Sequence, residues 1–128
     1  MEVTRLDHLV LTVNDIEVTA RFYESVLGMR RVDFGEGRIA LAFGEQKINL
    51  HQRDSEFTPK AGTPTPGSAD LCFVTPLRLH NAMAHVRAKG VDVIEGPVHR
   101  TGALGPMQSF YFRDPDSNLI EVCSYEVQ

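Results

Sequence analysis

No segment of this chain gathers basic charge. Its 13 Lys and Arg residues are spread along 128 positions beside 17 Asp and Glu, for a net charge of -4, so nothing marks a nucleic-acid partner. Equally missing is an apolar run long enough for a membrane span or a signal-peptide core. The opening MEVTRLDHLV instead runs directly into strand-like alternation, and the expectation is a soluble, cytoplasmic protein with no membrane partner. There are only two cysteines, Cys72 and Cys123, in apolar runs and without CxxC spacing, which argues against a zinc knuckle and for packed thiols rather than a disulfide. At 128 residues, 42% of them hydrophobic, the chain suffices for one core and not for two ordinary independent domains. One domain over 1–128, built from two half-sized units, is expected.

What the chain does contain is a repeat. LDHLVLTV (6–13) alternates as a half-buried strand, and SADLCFVT (68–75) has the same shape. After the first, Asn14 with Glu17 has the form of a capping box, and Ile16, Ala20, Tyr23 and Leu27 make one helical face ending at Gly28. After the second, Thr75 is placed to cap, Pro76 fits a first helical turn, and Leu79, Met83 and Val86 make the face ending at Gly90. A single offset of 62 relates His8 to Asp70 and Gly28 to Gly90. Beyond each helix the period changes from 3.6 to 2. Strands are predicted at 29–34, 38–43 and 46–52, and again at 91–95, 107–113 and 118–124. Both halves read β-α-β-β-β: module 1 over about 4–52, a Pro/Gly/Ser/Thr-rich linker over 53–68, and module 2 over about 69–126. From Asn49 to Glu121 the offset is 72, so the second module carries ten extra residues, assigned to a loop at 96–106, where insertions are tolerated.

Strand parity sorts the side chains. Leu9, Leu11 and Val13 face the helix, which leaves His8, Val10 and Thr12 opposite; Asp70 and Cys72 share that side in the repeat. Ile48 and Leu50 point to the core and leave Asn49 and His51 on the other face. Likewise Ile120 and Val122 leave Glu121 and Cys123. Asn49 and Glu121 are thus repeat partners, as are His51 and Cys123. The expectation is that four strands aim His8, Asn49 or His51, Asp70 and Glu121 at one surface. Imidazole plus carboxylate suits a divalent transition metal (Ni, Zn, Mn or Fe(II)) better than Ca or Mg. Glu121, flanked by Ile120 and Val122, needs a partner if taken from water, and a metal is one.

The twofold β-α-β-β-β order, the opening DHLVLTV, the helix end FYESVLGM and the close FYFRDPDSNLIEV resemble the vicinal-oxygen-chelate superfamily over essentially the whole chain. That group includes glyoxalase I, extradiol dioxygenases, fosfomycin-modifying thiol transferases and bleomycin-binding proteins. INLHQ (48–52) and ADLCFVT (69–75) look most like its small glyoxalase-like branch, which contains virulence-associated bacterial proteins. The resemblance implies an α+β fold in which two tandem βαβββ modules form a cupped, barrel-like mixed sheet with helices outside. It also implies metal ligands from the first and last strands of each module, where this chain has His8, Asn49, Asp70 and Glu121. Asn49 stands where glyoxalase I usually has a carboxylate, Asp70 where many members have His, and Ser117 where the turn usually carries Gly.

Asn49 and His51 lie two apart on one strand, roughly 6–7 Å, too far for both to reach one ion. Imidazole is the better donor for a borderline metal, so His51 is taken as ligand with His8, Asp70 and Glu121, and Asn49 as a substrate contact. Glu121 is also the catalytic candidate, as a proton shuttle. His99 and Arg100, in the inserted loop, are assigned to an anionic part of the substrate. The resemblance implies a metal-dependent isomerase or lyase that chelates two neighbouring oxygens of a small metabolite. The alternatives are an Fe(II) extradiol-type dioxygenase using His8, His51 and Glu121, or a metal-free drug-binding protein. Open sheet edges and the frequency of symmetric pairs predict a homodimer.

Overall fold

The structure is a computed structural model that describes residues 1–126; positions 127–128, the end of the expected domain, lie outside the described residues. The chain divides into two compact units, Met1–Gly67 and Ser68–Gln128. The first contains β1 (His8–Val13), α1 (Ile16–Leu27), β2 (Arg30–Phe34), β3 (Arg38–Phe43) and β4 (Gln46–Gln52). The second contains β5 (Asp70–Val74), α2 (Leu79–Ala88), β6 (Glu95–Gly102), β7 (Gly105–Arg113) and β8 (Leu119–Ser124). Each unit is an α+β module of the predicted β-α-β-β-β order. Each has an open four-stranded sheet, ordered β1-β4-β3-β2 and β5-β8-β7-β6. In both, the first strand pairs parallel with the last, and the remaining pairings are antiparallel.

Register bears out the repeat. Val10 stands beside Asn49 and Thr12 beside His51, while Cys72 stands beside Glu121 and Val74 beside Cys123. Asn49 and Glu121 therefore occupy equivalent positions, as do His51 and Cys123. Parity holds as well: Leu11, Val13, Ile48 and Leu50 are buried in the first unit and Ile120 and Val122 in the second. Val10 and Val74, on the opposite faces, are exposed. No helix among the described residues is long and apolar enough to cross a membrane.

Local capping departs from the sequence reading in both helices. The N-cap of α1 is Asp15, not Asn14: Asp15 is extended (φ -149°) and its carboxylate accepts from Val18 N–H. Asn14 is drawn back to the sheet instead, where its carbonyl accepts from Gln52 Nε2 at 2.6 Å and the Gln52 Oε1 accepts the Ile16 N–H at 3.2 Å. Glu17 does not close a capping box, because Arg31 grips both its oxygens at 2.6 and 3.1 Å. Gly28 ends the helix as predicted, in the left-handed region at φ 66°. The Gly28 N–H bonds Glu24 O and the Met29 N–H bonds Tyr23 O, so the left-handed residue lets the chain satisfy two of the last helical carbonyls.

In the second unit Thr75 and Pro76 do not begin the helix. Thr75 N–H is still paired with Cys123 O, so that residue belongs to the sheet, and its Oγ1 accepts from Leu77 N–H in a separate turn. α2 begins at Leu79 behind Arg78, without a side-chain cap. Leu79, Met83 and Val86 are buried as expected, joined by Ala82.

The ten-residue insertion is not a loop. It lengthens the β6–β7 hairpin, so His99 and Arg100 lie in β6, beside Gln108 and Met107. The Gly/Pro content that signals a loop is accommodated because β6 is an edge strand, where a missing N–H costs no ladder bond. Gly96 and Pro97 occupy a register shift between Glu95 and Val98, and a side chain at Gly96 would collide with Phe110. Nor is 53–68 merely a spacer. Phe57 packs edge-on against the His51 ring at 5.6 Å and lies under the Arg38 guanidinium at 4.3 Å.

Candidate functional site

In the first unit, the face opposite α1 carries Val10 and Thr12 from β1, Asn49 and His51 from β4, and Ala40 from β3 beside Asn49. His8, at the start of β1, is exposed, and its Nδ1 lies 2.8 Å from Asp7 Oδ1. That hydrogen bond holds the Asp7 carboxyl below its ordinary range. With the ring proton on Nδ1, Nε2 presents its lone pair away from Asp7, which is how a carboxylate orients a ligating imidazole.

Asn49 is only 8% exposed, and its Oδ1 is buried without a hydrogen-bond partner. His51 is 6% exposed. Its pKa is held below the usual imidazole range, chiefly by burial and then by the Arg38 charge, with Glu56 opposing. Sequence parity places Asn49 and His51 on one face, as found. What it did not reveal is that His51 is packed against Phe57 while the unpartnered atom belongs to Asn49.

A pH consequence follows for metal-free protein. The folded pKa of His51 lies below its unfolded value, so the unfolded chain takes up the proton first. The His51 contribution to stability is present above about pH 6.5 and lost as pH falls below it. In chelator, the fall in Tm between pH 7.5 and 5.5 is expected to be shallower in His51→Gln than in wild type. Equal slopes would show that burial of this ring does not couple to protonation.

In the second unit, one row crosses the sheet: Cys72 on β5, Glu121 on β8, Tyr111 on β7 and Glu95 on β6. Glu121 Oε2 is buried and has no hydrogen-bond partner. Both lateral neighbours are neutral donors. The Tyr111 pKa is pushed up by burial, with the Arg100 hydrogen bond opposing and the charge of and hydrogen bond to Glu121 reinforcing. Cys72 is exposed as a residue, yet its sulfur, set against Cys123 and Glu121, is desolvated enough to push the thiol well above its ordinary range, with those two neighbours reinforcing the shift. In the metal-free protein it is therefore a neutral thiol and not an activated nucleophile. Burial pushes Cys123 up as well, against a hydrogen bond from Cys72.

Asp70 is exposed at the head of β5, beside Leu119 and on the Cys72 side of the strand. The two inserted residues part company. Arg100 shares a face with Val98, Ser109 and Tyr111, whereas His99 shares the opposite face with Gln108. His99 lines a surface cleft with Pro106, Gln108 and Tyr125 instead. Arg100 reaches the Glu121 row but is occupied: its Nε donates to Tyr111 Oη at 2.9 Å and its Nη2 to Glu95 Oε1 at 3.4 Å. Tyr111 was missed in the sequence, although the parity of β7 and the Asp114–Asn118 turn were enough to set it beside Glu121.

Among the described residues, no three His, Cys, Asp or Glu side chains are gathered so as to hold an ion. The observation that bears on a ligand is the pair of stranded oxygens. Glu121 Oε2 and Asn49 Oδ1 stand at repeat-equivalent positions, each buried and each unpartnered. Buried polar atoms are ordinarily satisfied, and each exception calls for an explanation, an ion or water that completes it among them. A carboxylate oxygen in that state fits a hard or borderline divalent cation; an amide oxygen is a weaker donor.

Comparison with known proteins gives a consistent result. The profile described as the Glyoxalase/Bleomycin resistance protein/Dioxygenase superfamily matches residues 5–122. Virulence protein STM3117 of Salmonella typhimurium is 56% identical over 125 residues, covering 98% of this chain and 87% of that protein. Its crystal structure superposes with a TM-score of 0.97, covering 98% of this chain and 100% of that one. An integron cassette protein of Vibrio cholerae, VCH_CASS1, is 63% identical with a TM-score of 0.97 and 98% coverage of both chains. A mutant of the fosfomycin resistance protein FosX from Listeria monocytogenes, complexed with Mn(II) and a dihydroxypropylphosphonic acid, shares the fold at 20% identity and a TM-score of 0.64, covering 94% of this chain and 90% of that one.

Proposed function

This chain belongs to the Glyoxalase/Bleomycin resistance protein/Dioxygenase superfamily, and from that premise we propose that it is a divalent-metal-dependent, glyoxalase-like isomerase or lyase acting on a small molecule with two neighbouring oxygens. The observation that carries the reading is the buried, unpartnered Oε2 of Glu121, at the position where the family resemblance puts a ligand. His8, held by Asp7, is the second candidate ligand. Asp70 and His51 are the remaining two, although the contact with Phe57 weighs against His51. A bound ion would supply Lewis-acid stabilisation of negative charge developing on the substrate oxygens.

The chain's own contribution is orientation and proton handling. Asp7 fixes the His8 ring, the neutral donors Tyr111 and Cys72 flank Glu121, and Glu121 is the residue that would accept and return a substrate proton. Asn49 Oδ1, buried and open to a donor, suits a substrate hydroxyl. Arg100, already bound to Tyr111 and Glu95, is poorly placed to serve as a free anion contact.

A metal-free small-molecule binder is the second reading, favoured by the lack of any three gathered ligand side chains among the described residues. Calorimetry with Mn, Fe(II), Ni and Zn on protein purified without chelator separates the two, alongside an activity screen over small vicinal-oxygen compounds. Tight binding of one ion is the expected result; no tight binding by any would sink the enzyme reading and leave the binder. We further propose a homodimer, motivated by open sheets and by the exposed Val10 and Val74 on their faces. Light scattering at micromolar concentration should give about twice 14.3 kDa; a monomer would refute it.

A further inference from the structure

Glu121 is held by more than its own strand. The Tyr111 hydroxyl has one proton to give. Arg100 Nε–H already donates to that oxygen at 2.9 Å, so the phenolic proton must point elsewhere. In register, the neighbour of Tyr111 across the β7–β8 ladder is Glu121, a carboxylate that can only accept. The Arg100 guanidinium is anchored in turn by Glu95 at 3.4 Å and stands 5.4 Å from the Tyr111 ring centre. A phenolic proton given to Glu121 would occupy one of its oxygens and leave the other, Oε2, which is the buried atom with no partner.

We propose that Glu95, Arg100 and Tyr111 form a relay whose function is to position the Glu121 carboxylate, presenting Oε2 to a divalent cation. The inference rests on the metal-dependent reading above. It reassigns Arg100 from a substrate contact to a positioning residue that acts through Tyr111. It also explains the lengthened hairpin: Arg100 lies beyond the register shift that follows Glu95, on a stretch of β6 with no counterpart in β2 of the first unit, where the residue equivalent to Glu121 is the uncharged Asn49. Only the unit that carries the carboxylate carries the device that orients it.

The test is a calorimetric titration of the full chain with Mn(II), with Tm measured on each variant. Tyr111→Phe removes only the hydroxyl and is expected to weaken Mn(II) binding about ten-fold or more, the usual cost of losing a partner of a ligating side chain, with Tm within a few degrees of wild type. Arg100→Gln should weaken it less, since Tyr111 keeps its proton. The double variant should bind no more weakly than Tyr111→Phe alone, because Arg100 acts through the phenol. A merely structural role would instead give additive losses that track Tm. Wild-type affinity in Tyr111→Phe, or additive losses, would overturn the relay while leaving the metal reading intact. If wild type itself binds no Mn(II), Fe(II), Ni or Zn, the metal reading fails and the relay falls with it.

Discussion

Glu121→Ala is expected to lose at least about a hundred-fold in divalent-ion affinity, more than the 10–100-fold that follows loss of an outer partner, while Tm stays level or rises. The two halves of that expectation come from one fact. Glu121 Oε2 is buried with no hydrogen-bond partner, so in the metal-free fold the desolvation of that one oxygen is not offset by a donor. Removing it relieves that cost, as is common where a site trades stability for function. Glu121→Gln separates charge from shape, because the amide keeps an oxygen but is a far weaker donor to a cation, and it should resemble Ala in affinity. Calorimetry for the ion and thermal melting in chelator are the two measurements. A variant that binds metal like wild type, or one that unfolds, would remove Glu121 from the ligand set.

The largest effect on stability is expected at the turn joining β7 to β8. Asp114 is 5% exposed and Asn118 1%. Asp114 accepts from Asp116 N–H at 2.9 Å, Asn118 N–H at 3.0 Å and Asn118 Nδ2 at 2.8 Å. Asn118 Oδ1 then accepts from Ala69 N–H at 2.9 Å, tying the turn to the approach of β5. Hydrogen bonds to a charged group contribute roughly 1.5–3 kcal/mol each and are not additive within one network. Asp114→Ala would leave Asn118 donors buried and unsatisfied, and about 3–4 kcal/mol of destabilisation is expected, on the order of 10 °C in Tm. A loss under about 1 kcal/mol would mean that water replaces the carboxylate. Ser117, between them, sits at φ 68°, a left-handed conformation that glycine would adopt at less steric cost.

The parts of this protein legible in its sequence are those set by local period. LDHLVLTV and SADLCFVT alternate because one face of each strand is buried, so Leu11 and Val13 could be assigned to the core and His8, Asn49 and Glu121 to the other face before any coordinates. The repeat followed from the same periods, and the register of Asn49 and Glu121 agrees with it. Where local signals compete, the sequence by itself does not decide between them. Asn14 and Asp15 are both good caps, and the choice fell to Asp15 because Gln52, 38 residues away from Asn14, bonds the Asn14 carbonyl. Gly96 and Pro97 read as a loop because their φ preferences are local, whereas the hydrogen bonds that make them part of β6 come from β7.

Sequence alone therefore determined the β-α-β-β-β repeat, the faces of its strands other than β6 and the identity of the side chains on them, since each depends on neighbours within a few residues. The tertiary structure alone decided which of those side chains are satisfied. Phe57 reaches His51 from the connecting segment and Tyr111 and Arg100 reach toward Glu121 from the neighbouring hairpin, and Asn49 Oδ1 and Glu121 Oε2 are left without partners. Hydrogen bonding and burial are set by strand register and by contacts between residues far apart in the chain, which no local period encodes.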